Sequence, residues 1–279
     1  MPQAADASGT APAQPLAGQV ALVTGSGRGL GRAIAEHLAS LGANLAIHDI
    51  SNSAPAQYGE AATLQEAALS LLGANRRGVA VTGDITDELA IKQMVDTVEA
   101  TLGPISILVN CAGGDIGARG TKPNPNGATA FQLDDARAVI DRNLLGTMLM
   151  CRAIAPGMAE RRRGAIVNIA SVAAHYGASA EVAYACAKAG VVHYTRCLAA
   201  EVREAGVRVN AVSPGPAKTA RFLATREHDE SMMQEGPSLR RYATAPEIAD
   251  AVAFLVGEQA RFISGQVLRV DGAAGLFAA

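Results

Sequence analysis

The chain has 279 residues, 49% of them apolar, with 29 glycines, no tryptophan and a net charge of −2. A chain of this length buries about three quarters of its unfolded surface if it forms one body, so it needs no metal or disulfide staple. Its apolar fraction excludes a disordered chain, and its balanced charge gives no electrostatic reason to expect nucleic acid.

Residues 1–16 carry Pro, Ala, Ser and Gly without apolar periodicity or a basic start, so they read as a disordered leader and not a signal peptide. Residues 17–279 read as a single domain. The first expected strand, 19–24 (QVALVT), runs into Thr24-Gly25-Ser26-Gly27-Arg28-Gly29-Leu30-Gly31 and then a helix over 29–41. Glycine there permits a tight turn and lets a phosphate approach the backbone, and the helix N-terminus supplies N–H groups and positive dipole. The second strand, 44–48, is followed by Asp49, 18 residues beyond Gly31. An acidic residue at about that distance can bind the adenosine ribose hydroxyls of a dinucleotide. It would also repel a 2′-phosphate, since like unit charges at 4 Å cost roughly 4 kcal/mol at an effective dielectric of 20. Arg28 pulls the other way, because its guanidinium could pair with that phosphate. The carboxylate weighs more, so NAD is expected in preference to NADP.

Further helices are expected over 60–72, 86–102, 133–160, 180–205 and 245–256. They alternate with strands at 78–82, 105–110, 165–170, 207–212 and 266–270. Near-continuously apolar strands separated by helices argue for a parallel sheet covered on both faces. The fold class is therefore α/β: a Rossmann-type doubly wound parallel sheet of about seven strands. Thr244 with Glu247 forms a capping box, and Pro246 suits a first turn. Two long loops, 113–132 and 213–243, leave the carboxyl ends of strands, where ligands bind in open α/β sheets. No apolar run reaches about 18 residues, so no membrane span is expected and cytoplasm is the default compartment. Cys111, Cys151, Cys186 and Cys197 have no zinc-type spacing, read as reduced and mostly buried thiols, and give no metal site.

Tyr184 and Lys188 stand at i and i+4 on the helix after 180, so they share a face. An adjacent ammonium favours the phenolate and lowers a tyrosine pKa towards useful acid/base chemistry. Ser171 ends the preceding strand at the same edge. Cys186, His193 and Cys197 fall on the far side of that helix at 100° per residue, which suits core or subunit contact.

Taken together, these motifs resemble the short-chain dehydrogenase/reductase family over about residues 17–275. Thr24-Gly25 through Gly29 and Gly31 resembles its Thr-Gly-x-x-x-Gly-x-Gly turn. Asp84 resembles the acidic residue set against the adenine, and Asn110, Ala112 and Gly113 the Asn-x-Ala-Gly motif behind the cofactor. Asn143, Ser171, Tyr184 and Lys188 resemble the catalytic four, with the family's 13-residue gap from serine to tyrosine. Pro214-Gly215 with Thr219 resembles the segment that holds the nicotinamide carboxamide. Ile50, Ile85 and Ala217 complete the expected cofactor set. The chain departs from the pattern at Cys111, where asparagine is commoner, at Ala217, where a β-branched residue is frequent, and at Ala273 in place of a glycine.

The resemblance implies reversible hydride transfer between a nicotinamide cofactor and a secondary alcohol or ketone, in a homo-oligomer, as a tetramer. It implies that Tyr184 acts as general acid/base, Ser171 bonds the substrate oxygen, Lys188 holds ribose hydroxyls and Asn143 positions a relay water. His175 and Tyr176 after Ser171, and Arg119 and Arg221 in the long loops, are candidate substrate contacts. With Lys122 and Arg226 they would favour a sugar, polyol or hydroxy acid. The alternatives are a 3-ketoacyl-thioester or cyclic ketone reductase, and a nucleotide-binding protein without chemistry. A thioester reductase more commonly uses NADPH, so Asp49 weighs mildly against that substrate. No partner beyond the small-molecule substrate and further copies of the chain is expected.

Overall fold

A computed structural model describes residues 14–71 and 77–276. Seven parallel strands form one sheet. In chain order the elements are β1 (Val20–Val23), α1 (Gly29–Ser40), β2 (Asn44–Asp49), α2 (Leu64–Ser70), β3 (Gly78–Thr82), α3 (Glu88–Leu102) and β4 (Ile107–Asn110). Next come α4 (Leu133–Ile140), α5 (Gly146–Glu160), β5 (Gly164–Ile169), α6 (Val182–Val202), β6 (Val207–Pro214), β7 (Ala217–Lys218) and α7 (Ala220–Thr225). The chain closes with β8 (Ala243–Thr244), α8 (Ala245–Val256) and β9 (Val267–Val270). The sheet order is β3-β2-β1-β4-β5-β6-β9, and the two-residue strands β7 and β8 pair apart from it.

Each expected strand is therefore a strand of the sheet. The order reverses direction between β1 and β4, and that switch point opens the crevice outside the carboxyl ends where nucleotides bind in such sheets. β1 and β4 are buried along their whole length, as strands covered on both faces must be. One core layer packs α1, α2 and α8 on one face of the sheet, and a second packs α3, α5 and α6 on the other.

Thr244 and Glu247 form the capping box of α8, which contributes about 1 kcal/mol. Residues 133–160 are helical throughout, but a π turn over Asp141–Leu145 separates α4 from α5. One extra residue in the turn bulges the backbone, a device often found at functional sites. The expected loop 213–243 holds a short helix, α7, because the Thr219 hydroxyl accepts the Phe222 N–H at 3.2 Å and caps it. Of the leader expected over residues 1–16, residues 1–13 lie outside the described residues. Leu16 is buried and its N–H donates to the Leu41 carbonyl at 3.0 Å, so the packed body already includes it. The expectation of mostly buried thiols holds for Cys151, while Cys111 is half-buried and Cys186 and Cys197 are exposed on the outer face of α6. Among the described residues no helix is long and apolar enough to cross a membrane.

Candidate active site

The turn after β1 is held from three sides. Thr24 is buried, and its Oγ1 accepts the N–H groups of Cys111 and Ala112 at 3.0 and 3.1 Å. Ser26 is fully buried; its Oγ donates to the Val23 carbonyl and accepts the His48 N–H. His48 accepts the Gly25 N–H at Nδ1, 3.2 Å away, and its Nε2 lies 3.0 Å from the Gly83 carbonyl. That pair of contacts requires a neutral ring with its proton on Nε2. Ser26 thus holds the turn together, and His48, which sequence reasoning did not single out, does the same.

Burial holds the His48 pKa below the ordinary histidine value. The unfolded chain therefore takes up this proton first as pH falls, and stability is lost from the ordinary value, near 6.5, down to the lowered one. Wild-type Tm is expected to fall across the mildly acidic range, and His48→Gln should flatten part of that slope. An identical slope in the variant would refute the assignment.

The residues around the turn fit a dinucleotide. A Cβ on Gly27 would lie 2.8 Å from Asp49 Oδ2, and one on Gly31 would collide with the Gly25 carbonyl. Asp49 is buried, its Oδ1 accepts the Ile50 N–H, and its Oδ2 is buried without a hydrogen-bond partner. An orphaned carboxylate oxygen aimed at a bare glycine suits a ribose hydroxyl donor. Arg28 Nε stands 4.0 Å from that oxygen, too far for a hydrogen bond. Its guanidinium donates instead to the Ala54 carbonyl and to Gln57, and lies over the Tyr58 ring.

Along the rest of the cleft, Asp84 is exposed in a turn closed by its own bonds to Thr86. Ile50 is exposed, whereas the Ile85 side chain is buried against Gly146, which leaves any ligand contact to its backbone. Asn110 donates to Asn168, and Asn168 donates to Thr195, so a buried polar ladder ties β4, β5 and α6 together behind the cleft. Pro214 is buried at the end of β6, and the Gly215 N–H donates to the Val270 carbonyl at 2.9 Å. Ala217 lies on β7 and Thr219 caps α7.

At the other end of the crevice the expected catalytic residues converge. Asn143, fully buried on the π turn, accepts the Gly114 N–H at Oδ1 (2.8 Å). Its Nδ2 donates to the carbonyls of Gly114 and Val139 (2.9 and 2.8 Å). Its side-chain amide is thus committed to fixing the backbone at 113–114. Lys188 is 4% exposed, its Nζ donates to the Ile169 carbonyl at 2.7 Å and stands 5.8 Å from the centre of the Tyr184 ring. Burial brings the Lys188 pKa down to about 8, so the ammonium persists at neutral pH.

Burial also pushes the Tyr184 phenol above its ordinary value; the Ser171 hydroxyl, Arg226 and Arg221 pull it back, and Glu181 raises it further. The sequence-based expectation of a lowered tyrosine is therefore not met in the free protein, because desolvation outweighs the neighbouring charges. A phenol in this state is a proton donor at neutral pH.

The candidate substrate residues are spread more widely. His175 Nε2 lies 2.9 Å from Ser213 Oγ, between the ends of β5 and β6. Tyr176 is half exposed, and Arg119 is exposed in a turn of the 113–132 loop. Arg221 crosses the cleft, and its Nη1 donates to the Gly113 carbonyl at 3.1 Å. Lys122 and Arg226 are both paired with Glu181, at 2.7 and 3.4 Å.

A family model described as enoyl-(acyl carrier protein) reductase matches residues 25–274. The chain is 35% identical to 3-oxoacyl-(acyl-carrier-protein) reductase FabG of Vibrio harveyi, over 92% of this chain and 97% of that one. It is 34% identical to cyclohexanol dehydrogenase of Rhodococcus sp. (strain TK6), over 92% of this chain and 96% of that one. A crystal structure of levodione reductase superposes with a TM-score of 0.78 at 31% identity, covering 92% of this chain and 97% of that one. The chain belongs to the short-chain dehydrogenase/reductase family, oxidoreductases that act on alcohol and ketone groups with NAD or NADP.

Proposed function

We propose that this chain interconverts a cyclic or similarly bulky secondary alcohol and its ketone, with NAD in preference to NADP. The observation that carries the reading is the convergence of Tyr184, Ser171, Lys188 and Asn143 at the mouth of one crevice, opposite the orphaned carboxylate of Asp49. The dinucleotide, when bound, supplies or accepts the hydride. In the ketone direction Tyr184 gives its phenolic proton to the carbonyl oxygen, and the Ser171 hydroxyl bonds that same oxygen. The buried Lys188 ammonium stabilises the phenolate left behind and offers donors to ribose hydroxyls. Such donors contribute most where charge develops during the transfer. Asn143 keeps the 113–114 backbone in place beneath the reacting groups and, as the family implies, positions a relay water.

Asp49 supports NAD, because a 2′-phosphate would meet its carboxylate while Arg28 is engaged by Ala54, Gln57 and Tyr58. The residues Gly25, Gly27 to Gly31, Asp49, Ile50, Asp84, Ile85, Ala112, Gly113, Gly215, Ala217 and Thr219 line the course of the cofactor, and the buried Ser26 holds the turn beneath it. Asn110 and Pro214 support it from behind. His175 and Tyr176 border the substrate.

The names of the relatives support a cyclic ketone better than the sugar, polyol or hydroxy acid expected from the loop cations. They equally support a 3-oxoacyl thioester as the second reading. We further propose a homo-oligomer, as the family resemblance implies, with the cytoplasm as the default compartment and residues 17–279 acting as one unit.

Turnover of cyclic ketones and of 3-oxoacyl thioesters, followed by the absorbance of the reduced nicotinamide, separates the two. The expected result is faster reduction of the cyclic ketone, with NADH preferred by about tenfold or more, a conservative share of the roughly 4 kcal/mol of like-charge repulsion. Equal rates with NADH and NADPH would overturn the role given to Asp49.

A further inference from the structure

Two charged side chains stand along the middle of the cleft, Glu60 at the start of α1 and Arg221 at the Gly113 carbonyl, and neither is used in the mechanism above. On one wall, the Gly29 N–H at the start of α1 donates to both carboxylate oxygens of Glu60, at 2.8 and 3.0 Å. Glu60 arrives from the loop after β2, 31 residues away, and Arg32 holds its main-chain carbonyl at 2.9 Å. On the other wall is Arg221. Besides its bond to Gly113, its guanidinium presses on Gly114 so closely that a Cβ there would come within 2.5 Å of Nη2. Titratable groups near enough to act on it stand at both ends of the crevice: Tyr58 and Arg28 beside the glycine turn, Tyr184 and Arg226 at the catalytic end. Among the described residues no carboxylate forms an ion pair with it. The two walls adjoin, since a Cβ on Gly29 would stand 3.7 Å from the side chain of Thr219, two residues before Arg221.

A dinucleotide reaching from Asp49 to Tyr184 must carry its two phosphates through this middle stretch, with the helix N-terminus as their natural seat. In the free protein a carboxylate of the chain itself already sits there. Two anions at one N–H repel, whereas a half-buried guanidinium bonded only to a backbone carbonyl lacks the anion that suits its fork.

We propose that Glu60 and Arg221 act with opposite sign on the dinucleotide's diphosphate: Glu60 occupies the α1 N-terminus until the diphosphate displaces it, and Arg221 then pairs with the diphosphate. The proposal rests on the nicotinamide reading above and moves Arg221 from substrate contact to cofactor contact.

Calorimetric titration with ADP-ribose, which has the diphosphate but no nicotinamide, tests it on the full chain, with adenosine as the probe lacking phosphate. Glu60→Gln is expected to bind ADP-ribose about tenfold more tightly than wild type and Arg221→Gln about tenfold more weakly, one charge-assisted hydrogen bond each way. Adenosine affinity should be the same in all three, and Arg221→Lys should recover part of the loss. Unchanged or weaker ADP-ribose binding by Glu60→Gln would make Glu60 a permanent helix cap and overturn the proposal. So would unchanged ADP-ribose binding by Arg221→Gln, and a raised KM for ketone alongside it would return Arg221 to the substrate. Equal affinities across the three proteins would sink this proposal alone, whereas no binding by wild type would take the cofactor reading with it.

Discussion

Tyr184→Phe is expected to lower turnover by about 10²–10⁴-fold, the usual worth of a positioned general acid, while cofactor affinity stays within about twofold. Phenylalanine keeps the ring that the Lys188 ammonium faces at 5.8 Å, so packing and the Lys188–Ile169 hydrogen bond should survive. Only the hydroxyl is lost, and with it the proton. The pH profile distinguishes this loss from a structural one. Burial holds the phenol above its ordinary pKa, so it stays protonated and able to donate throughout the neutral range. Alcohol oxidation needs the phenolate and should climb with pH in wild type, while ketone reduction should stay nearly flat until the Lys188 ammonium loses its proton near 8. Residual activity in the variant should show neither feature. A variant that retains wild-type rates in both directions would remove Tyr184 from the chemistry altogether.

Much of this was legible in the chain before folding. Apolar runs such as VALV and ILVN have one comfortable environment, a strand buried on both faces, and helices between them force a parallel sheet. The spacing of Tyr184 and Lys188 gave their shared face because a helix has a fixed period. What stayed hidden depends on contacts distant in sequence. The π turn carrying Asn143 has no local signature in DRNLL; it is selected where the amide meets Gly114, 29 residues away. Glu60 on Gly29 and His48 on Gly25 are likewise tertiary choices. The raised Tyr184 pKa stayed hidden for a related reason: sequence shows the nearby cations but not the burial that outweighs Arg226 and Arg221.

Gly113→Ala should be nearly as damaging as the loss of the tyrosine, though it removes no functional group. A Cβ at 113 would lie 2.5 Å from Asn143 Oδ1 and 3.5 Å from Lys188 Nζ. The first distance is far inside van der Waals contact, so the Asn143 amide must move. Moving it breaks the 2.8 Å bond from the Gly114 N–H and loosens the backbone whose Gly113 carbonyl anchors Arg221. A displacement of about 1 Å at reacting groups can cost about 10²-fold, and a loss of that size in kcat is expected here. Tm should fall modestly, since Gly113 is only part-buried at the cleft and no core side chain is removed. A double-mutant cycle tells displacement of Asn143 from general damage. If the methyl acts by evicting the amide, Gly113→Ala should cost little more once Asn143→Ala has removed it, so the two losses are strongly non-additive. Additive losses would mean that Gly113 serves the site by another route, through its positive φ of 155°, which a side chain strains, through Lys188 or through space the cofactor itself requires.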